Sequence, residues 1–222
     1  MTQLQRKLQN QRSNSDVIWG HLQPDRWQAV MKFAQGTILD VGCANGVYVK
    51  QLLDNQYNAY GIDLLHYPEW TMIAGRNIIA DATHLPHADN SFDTIISFET
   101  LEHVPDIAAA LREYYRVCRK RIIISVPNCD TPVELRDGGL TFHHWIDRTH
   151  VNFLTHDTLS AILSKNGFNV QYTAYINHIL PAVPFLCALG LPLRPARGIA
   201  RILRRVSRKQ YPMTLLAVGE KV

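Results

Sequence analysis

Residues 37–46 read TILDVGCANG, and this stretch decides the fold. Its first five residues form an apolar run typical of a buried parallel strand, and the glycines that follow indicate a tight turn. The residues from Val47 to Leu53 predict a helix that begins directly after the turn. Such a helix points the free N–H groups of its first turn at a ligand. The stretch therefore predicts the first strand, turn and helix of a nucleotide-type site.

A second acidic residue, Asp63, follows the next apolar run. A carboxylate at the end of the second strand can accept hydrogen bonds from both hydroxyls of a ribose. The glycine turn lacks the basic residue and the three spaced glycines that a phosphate-binding loop needs. Its own acid, Asp40, lies before the first glycine instead. That position suits a ligand with a positive charge better than it suits a pyrophosphate.

This arrangement resembles the first motif of the class I S-adenosylmethionine-dependent methyltransferases, an acid-x-Gly-x-Gly-x-Gly pattern. Asp40 is the acid here, and Ala44 stands where the family has its middle glycine. The resemblance implies that S-adenosylmethionine is the cofactor and that Asp40 lies near its amino-acid end. It also implies cofactor contacts from the residues of the turn and of the second strand end, namely Gly42, Cys43, Ala44, Gly46, Asp63 and Leu64.

Two later segments extend the resemblance over roughly residues 36 to 170. Asp81 and Ala82 follow a short apolar run, and the family has an acid beside the adenine at the end of its third strand. Residues 91–98 read SFDTIISF, which is similar to the Phe-Asp-x-Ile/Val strand of the family. This strand leads to a Leu-Glu-His segment like the one at the family's active-site mouth. The resemblance thus adds Asp81, Ala82 and Phe98 to the predicted cofactor residues.

The rest of the chain predicts an α/β fold. Helical spacing predicts further helices at 24–34, 104–120 and 155–165, the last of them with Thr155 as its N-terminal cap. Apolar runs predict the last strands at 121–126, 168–176 and 213–219. Alternating strands and helices with this final pair predict a Rossmann-like doubly wound seven-stranded sheet, mostly parallel with an antiparallel last strand. In the family a leading helix flanks the substrate mouth, so Trp19, His21 and Arg26 are candidate acceptor contacts.

Length and composition fit one domain with one core, because the chain has 222 residues of which 46% are hydrophobic. We expect residues 1–16, which are polar and lack apolar periodicity, to form a flexible tail before a methyltransferase domain at 17–222. The four cysteines show no metal-type spacing, and we recognise no secretory leader. We therefore expect reduced thiols and a cytoplasmic location.

The loop after the fifth strand is dense in candidate catalytic groups. Residues 143–153 read HHWIDRTHVNF. Methyl transfer requires a nucleophile in line with the methyl group and often a base, and histidine titrates near neutral pH. The Asp-x-x-His-Val-Asn-Phe segment is similar to one of many small-molecule methyltransferases, where its His faces the active site. We predict His150 as the base or acceptor-orienting residue, with Asp147 as its partner and His103 at the same mouth; alternatively, His150 braces the loop.

Two metal-binding alternatives use the same part of the chain. Glu99-x-x-Glu102-His103 is similar to the segment through which ubiquinone-pathway O-methyltransferases bind a divalent ion, although Leu-Glu-His also occurs in metal-independent relatives. A second set of residues could bind zinc, namely His143, His144, Asp147 and His150. The spacing of these residues matches no closed zinc motif. We predict a site without a metal and keep a divalent ion as the alternative.

An apolar and basic insertion at about 177–210 separates the last two strands. Its apolar part is interrupted by three prolines and cannot cross a bilayer as one regular helix. It ends in seven basic residues without an acidic one: Arg194, Arg197, Arg201, Arg204, Arg205, Arg208 and Lys209. The other 16 basic residues stand against 19 acidic ones, so the net charge of +4 arises from this insertion. The pattern predicts either peripheral membrane contact or a core-packed helix with a basic face.

The main functional prediction is S-adenosylmethionine-dependent methyl transfer, to an oxygen atom of a small-molecule, glycan or lipid-linked acceptor. An NAD-type dinucleotide oxidoreductase is an alternative that the incomplete glycine pattern disfavours. A membrane-associated, non-catalytic binding module that retains the methyltransferase fold is another. Nucleic acid is not an expected partner, because the arginine-rich segment has no sequence-reading motif and no base-methylation signature follows the fourth strand.

Overall fold

The structure is a computed structural model that describes residues 20–130, 132–133, 147–180, 182–207 and 209–222. Several predictions concern residues outside these ranges. They are the tail at 1–16, Trp19, His143, His144, Pro181 and Arg208.

Seven strands form a single mixed sheet. They are β1 (Thr37–Val41), β2 (Asn58–Asp63), β3 (Asn77–Ile79), β4 (Phe92–Phe98), β5 (Cys118–Pro127), β6 (Phe168–Ile179) and β7 (Tyr211–Lys221). Their order in the sheet is β3-β2-β1-β4-β5-β7-β6. The first five strands pair in parallel, and β7 is antiparallel to both β5 and β6. The predicted Rossmann-like, doubly wound sheet with an antiparallel last strand is confirmed.

The described α-helices connect these strands. They are α1 (Pro24–Phe33), α2 (Val47–Asp54), α3 (Ile107–Val117), α4 (His156–Lys165), α5 (Ala182–Ala188) and α6 (Leu193–Val206). Two 3-10 turns, Pro68–Ile73 and Leu101–His103, complete the connections that follow β2 and β4. The predicted threonine cap of α4 is confirmed, because the Thr155 side chain accepts a hydrogen bond from the Thr158 N–H.

The core consists of two apolar layers on the two faces of the sheet. Every residue of β4 is buried, and its alternating side chains enter both layers. Ile95 belongs to the layer under α3 and α4, and Ile96 belongs to the layer under α1 and α2. The helices contribute buried side chains such as Leu111 and Leu163 to the first layer and Val30 and Leu52 to the second.

Helix α3 is shorter at both ends than the predicted span of 104–120. It begins after Asp106, whose carboxylate accepts a hydrogen bond of 2.8 Å from the Ala109 N–H and caps the first turn. Pro105 before it has no N–H to donate. At the other end, Cys118 already pairs with Phe92 in the β4–β5 ladder. The capping side chain and the ladder, rather than the apolar spacing, set the ends of this helix.

The last two strands are longer than predicted. Their antiparallel ladder continues to the pair Ile179 and Tyr211, beyond the predicted ends at 176 and 213. The segment between the strands therefore covers 180–210 and contains α5 and α6. No helix in the described ranges combines the length and the apolar character needed to cross a membrane.

We predict that Ile95→Ala destabilises the protein by about 2–5 kcal/mol, because the side chain is fully buried in the central strand and its loss leaves a cavity. Urea unfolding would measure the change in the free energy of unfolding. The matched control is Ile79→Ala on the edge strand β3, where the side chain is 57% exposed. The control should change stability by less than about 1 kcal/mol. Equal losses in the two variants would contradict the assigned core.

Candidate active site

A cavity of about 640 Å³ opens at the edge where the parallel strands end. This volume lies within the usual range of sites for small molecules. All of the predicted site residues line it except Gly46, which caps the N-terminus of α2 instead. The lining ones are Asp40, Gly42, Cys43, Ala44, Asp63, Leu64, Asp81, Ala82, Phe98, His103, Asp147 and His150. The topology thus brings together residues from five loops, and their individual roles stay predictions.

The turn after β1 has a left-handed backbone at three positions. Gly42 has φ of 80°, and a Cβ there would lie 2.1 Å from the Thr100 hydroxyl oxygen, so only glycine fits. Gly46 has φ of 79°. Ala44, which replaces the family's middle glycine, also has a positive φ of 46°. Its carbonyl accepts a hydrogen bond of 2.7 Å from the Trp70 indole, which helps to hold this strained conformation.

Asp63 holds the same turn from the end of β2. One carboxylate oxygen accepts a hydrogen bond of 2.9 Å from the Ala44 N–H, and the other accepts one of 3.0 Å from the Leu65 N–H. A carboxylate oxygen can accept more than one hydrogen bond. The predicted ribose contact is therefore compatible with these two bonds. The structural role of Asp63 in bracing the turn was not predicted from the sequence.

Asp40 is a buried carboxyl group at the floor of the cavity. Its side chain is almost completely buried, and its Oδ2 atom has no hydrogen-bond partner within the described ranges. Burial raises the pKa of Asp40 well above its usual range, and the nearby carboxylate of Asp63 raises it further. A positively charged ligand group beside Asp40 would relieve both effects. The site thus fits the amino-acid end of S-adenosylmethionine.

The three predicted catalytic residues lie together in the cavity lining. The ring centroids of His103 and His150 are 4.8 Å apart, and the Asp147 Oδ2 atom is 3.8 Å from the His150 Nε2 atom. Burial, and secondarily the nearby His150, lower the pKa of His103 to about 4, so this ring is neutral at pH 7. Its Nδ1 lies 3.3 Å from the Thr149 carbonyl, which can only accept, so the proton sits on Nδ1 and Nε2 keeps a lone pair.

The loop that carries His150 is pinned to the 3-10 turn after β4. The N–H groups of Val151 and Asn152 both donate to the Glu102 carbonyl, at 2.8 and 3.1 Å. The Asn152 amide donates to the carbonyls of Leu101 and Val104. These bonds give a physical reason for the asparagine in the His-Val-Asn-Phe segment. They hold His150 against His103 although the two residues are far apart in the sequence.

Glu102 is buried beside this histidine pair. Neither of its carboxyl oxygens has a hydrogen-bond partner in the described part of the chain. Burial raises the pKa of Glu102 well above its usual range, and the neighbouring Glu99 acts in the same direction. One ligand atom from each of Glu102, His103 and His150 lies within 4.8 Å of the others. This set, rather than the predicted Glu99, Glu102 and His103, could hold a divalent ion.

Glu99 turns to an arginine instead. Its Oε1 atom lies 2.6 Å from the Arg26 Nη2 atom of α1, and the guanidinium lies 5.9 Å from the centroid of the Phe98 ring. Arg26 is buried, and it lines the cavity together with His21. Arg26 and His21 therefore lie where acceptor contacts were predicted. The ion pair between α1 and the end of β4 was not predicted.

Sequence reasoning also missed Tyr48 and Thr100, which both line the cavity. The Tyr48 hydroxyl accepts a hydrogen bond of 3.0 Å from the Gln23 N–H, and its ring packs on Phe98 with centroids 4.9 Å apart. The position of Tyr48 in the first turn of α2, directly after the glycine turn, could have indicated that it lines the site. Thr100 follows β4, and its hydroxyl donates to the Val41 carbonyl beneath Gly42.

Comparison with known proteins decides the family. A family model described as a methyltransferase domain matches residues 19–173, which is more than half of the chain. The chain belongs to the S-adenosylmethionine-dependent methyltransferases. The resemblance seen in the sequence is thereby confirmed, and S-adenosylmethionine is the cofactor of this methyltransferase. The NAD-type alternative is not supported by these matches.

Two relatives and one solved structure illustrate the similarity. Methyltransferase GfsG of Streptomyces halstedii is 51% identical over 161 residues, which are 64% of this chain and 55% of that protein. Demethylmenaquinone methyltransferase of Roseiflexus castenholzii is 34% identical over 119 residues, 50% of this chain and 49% of that protein. The chain thus spans about half the length of these relatives. A SAM dependent methyltransferase from Archaeoglobus fulgidus shares the fold, with a TM-score of 0.62 and 19% identity over 89% of this chain and 92% of that one.

We predict that Asp63→Ala weakens S-adenosylmethionine binding by about tenfold or more, because it removes charge-assisted hydrogen bonds worth about 1.5–3 kcal/mol each. Isothermal calorimetry would measure the affinity, and circular dichroism would verify the fold. The matched control is Asp54→Ala, which removes an exposed carboxylate from the surface of α2. The control should bind the cofactor like the unchanged protein. Unchanged affinity in the Asp63 variant would rule out its role in cofactor binding.

Proposed function

We propose that this methyltransferase transfers the methyl group to an oxygen atom of a small-molecule, glycan or lipid-linked acceptor, with His150 as general base. One observation carries the proposal. His150, with Asp147 beside it and the neutral His103 against its ring, lines the same cavity as Asp40 and Asp63. A base and a cofactor site within one cavity are the minimum that methyl transfer to a hydroxyl group requires.

In this proposal one group of cavity residues binds the cofactor, and His150, Asp147 and His103 form a second group that acts on the acceptor. When bound, S-adenosylmethionine supplies an electrophilic methyl group on a positively charged sulfur. The Asp40 carboxyl group faces its charged end, and the Asp63 carboxylate accepts hydrogen bonds from its ribose. Asp81 and Ala82 would hold its adenine, and Phe98 would add an apolar contact from the end of β4.

His150 removes the proton of the acceptor hydroxyl as the oxygen gains the methyl group. The Asp147 Oδ2 atom lies 3.8 Å from the His150 Nε2 atom, which is close enough for electrostatic attraction to a protonated ring. After proton transfer the same carboxylate stabilises the imidazolium. His103 stays neutral at pH 7 and does not repel that charge. It is a positioning residue for the His150 ring.

The acceptor class is proposed from the name of a relative. The name of the Roseiflexus castenholzii relative refers to demethylmenaquinone, which supports an apolar small-molecule or lipid-linked acceptor for this chain. A non-catalytic binding module that retains the methyltransferase fold differs by the absence of methyl turnover. Purified protein, labelled cofactor and a panel of hydroxylated metabolites, glycans and lipids would separate the two. Turnover of any acceptor excludes the binding module.

We predict that His150→Ala lowers turnover roughly a hundredfold or more while cofactor affinity is retained, because a general base is lost. His150→Asn keeps a hydrogen-bonding side chain but no base, and it should be as slow as the alanine variant. His156→Ala, which changes a histidine at the start of α4 outside the cavity, is the control and should stay active. If His150→Asn is active and His150→Ala is not, His150 braces the loop and is not the general base.

A metal-assisted reaction is the second candidate, and the cluster of Glu102, His103 and His150 favours it. Two imidazoles and a carboxyl group, whose own oxygens accept no hydrogen bond from a described residue, are a fitting ligand set for a divalent ion. Such an ion would polarise the acceptor hydroxyl and lower its pKa.

We predict that the reaction proceeds without a removable ion. Enzyme dialysed against a chelator should keep its full rate, measured by transfer of the labelled methyl group. Loss of the rate in the chelator, followed by recovery on addition of Mg²⁺, Mn²⁺ or Zn²⁺, would replace the metal-free proposal with the metal-assisted one. The control is calorimetry of S-adenosylmethionine binding in the chelator, which should be unchanged.

A further inference from the structure

Helix α6 has three distinct sides. At 100° per residue, its five arginines lie within an arc of about 100°. They are Arg194, Arg197, Arg201, Arg204 and Arg205, and all five are exposed. The single buried residue of the helix is Ala196, which marks the side that faces the protein. Between these two sides lies an apolar stripe of Ile199, Ile202 and Val206.

The apolar stripe is exposed instead of packed. Ile202 is 63% exposed and Val206 is 72% exposed. The neighbouring helix α5 contacts α6 and exposes Phe185 to 55%, and Leu189, directly after α5, is 65% exposed. The predicted alternative of a core-packed helix with a basic face does not match these exposures. An apolar patch of this kind on a protein surface indicates a contact with something outside the chain.

The charged side chains of α6 are all basic. The sequence contains no Asp or Glu between Asp157 and Glu220. None of the five arginines of α6 forms an ion pair with a described residue. An uncompensated basic surface attracts an anionic partner.

The combination of an apolar stripe with adjacent arginines favours a membrane over the other partners. A nucleic acid would use the arginines for its phosphates but would leave the apolar stripe without a contact. A second copy of the chain in a two-fold contact would bring like-charged arginine rows together. Anionic lipid satisfies both surfaces, because acyl chains cover the apolar side chains and headgroups bind the guanidinium groups.

The segment that contains the two helices starts and ends at the edge of the sheet that carries the cavity. Strands β5 and β6 are both antiparallel to β7, so they end at the same edge, and Pro127 at the end of β5 lines the cavity. Asn128, the next residue, is tied to the start of β7 by bonds to the carbonyls of Pro212 and Met213, at 3.0 and 2.9 Å. The segment 180–210 therefore leaves the sheet beside the active site.

We propose that α5 and α6 form a docking surface for an anionic membrane. Helix α6 lies in the plane of the lipid–water interface, with Ile202 and Val206 inserted and its arginines at the headgroups. The cavity edge then faces the membrane surface. This docking does not depend on the identity of the acceptor or on the role of His150, and vesicle binding tests it separately from methyl transfer.

The test is flotation of the full chain with vesicles of neutral phosphatidylcholine, with and without anionic phosphatidylglycerol, at low ionic strength. The unchanged protein should float with the anionic vesicles only. R201E/R205E should lower the partition coefficient about 25-fold or more, from the loss of two basic contacts at the surface. The matched control R112E/K165E makes the same change of net charge on exposed residues of α3 and α4 and should bind normally.

A second pair tests the apolar contribution. I202S/V206S should reduce binding to anionic vesicles, whereas M72S/V222S, which changes two other exposed apolar residues, should not. Each variant is first shown to keep its circular dichroism spectrum and its S-adenosylmethionine affinity.

Three results would overturn the proposal. The first is an unchanged protein that ignores anionic vesicles at low salt. The second is equal binding by R201E/R205E and R112E/K165E, which would make net charge rather than this surface responsible. The third is a dimer in light scattering that I202S/V206S converts to a monomer, which would assign the apolar stripe to a second copy of the chain.

Discussion

The hydrogen bond from the Ala44 N–H to the Asp63 carboxylate is the contact on which the site depends. It joins the turn after β1 to the end of β2, and it holds a non-glycine residue in a left-handed conformation. Without it, the strained backbone at Ala44 would lose a partner that stabilises it. This turn also determines where α2 begins and where Asp40, at the end of β1, is placed. One carboxylate thus connects the backbone geometry of the fold to the electrostatics of the cavity.

Among the residues that the structure describes, two carboxyl groups, Asp40 and Glu102, are buried in the cavity without a complete set of partners. Burial raises the pKa of each, so each has a tendency to hold a proton when the site is empty. A cationic ligand beside Asp40 stabilises its charged form and restores the balance. The same argument applies at Glu102, where the imidazolium that we propose for His150 would supply the positive charge. The unsatisfied groups therefore cost stability in the free protein and favour the bound and reacting states.

The sequence predicted the features that depend on neighbouring residues, and it missed those that depend on distant ones. Buried strands, the glycine turn and the cap at Thr155 are each visible in a few consecutive residues, so their prediction succeeded. The pairing of Arg26 with Glu99 depends on how α1 packs against the end of β4, which no local pattern records. The resemblance of the Glu-x-x-Glu-His segment suggested a metal site at Glu99, Glu102 and His103. In the fold, Glu99 pairs with Arg26, and His150 takes its place beside the other two residues.

The antiparallel pair β6–β7 explains how a basic, apolar segment can be added beside the active site without disturbing the core. The pairing of Ile179 with Tyr211 closes the base of the 180–210 segment. The length of this segment therefore does not affect the pairing of the other strands. Each doubling of the length of a closed loop costs only about 0.6 kcal/mol of conformational entropy. The strand ends also fix where the segment emerges, which is the cavity edge. A change of length or composition there acts beside the cavity edge and leaves the turn at Ala44 and Asp63 intact.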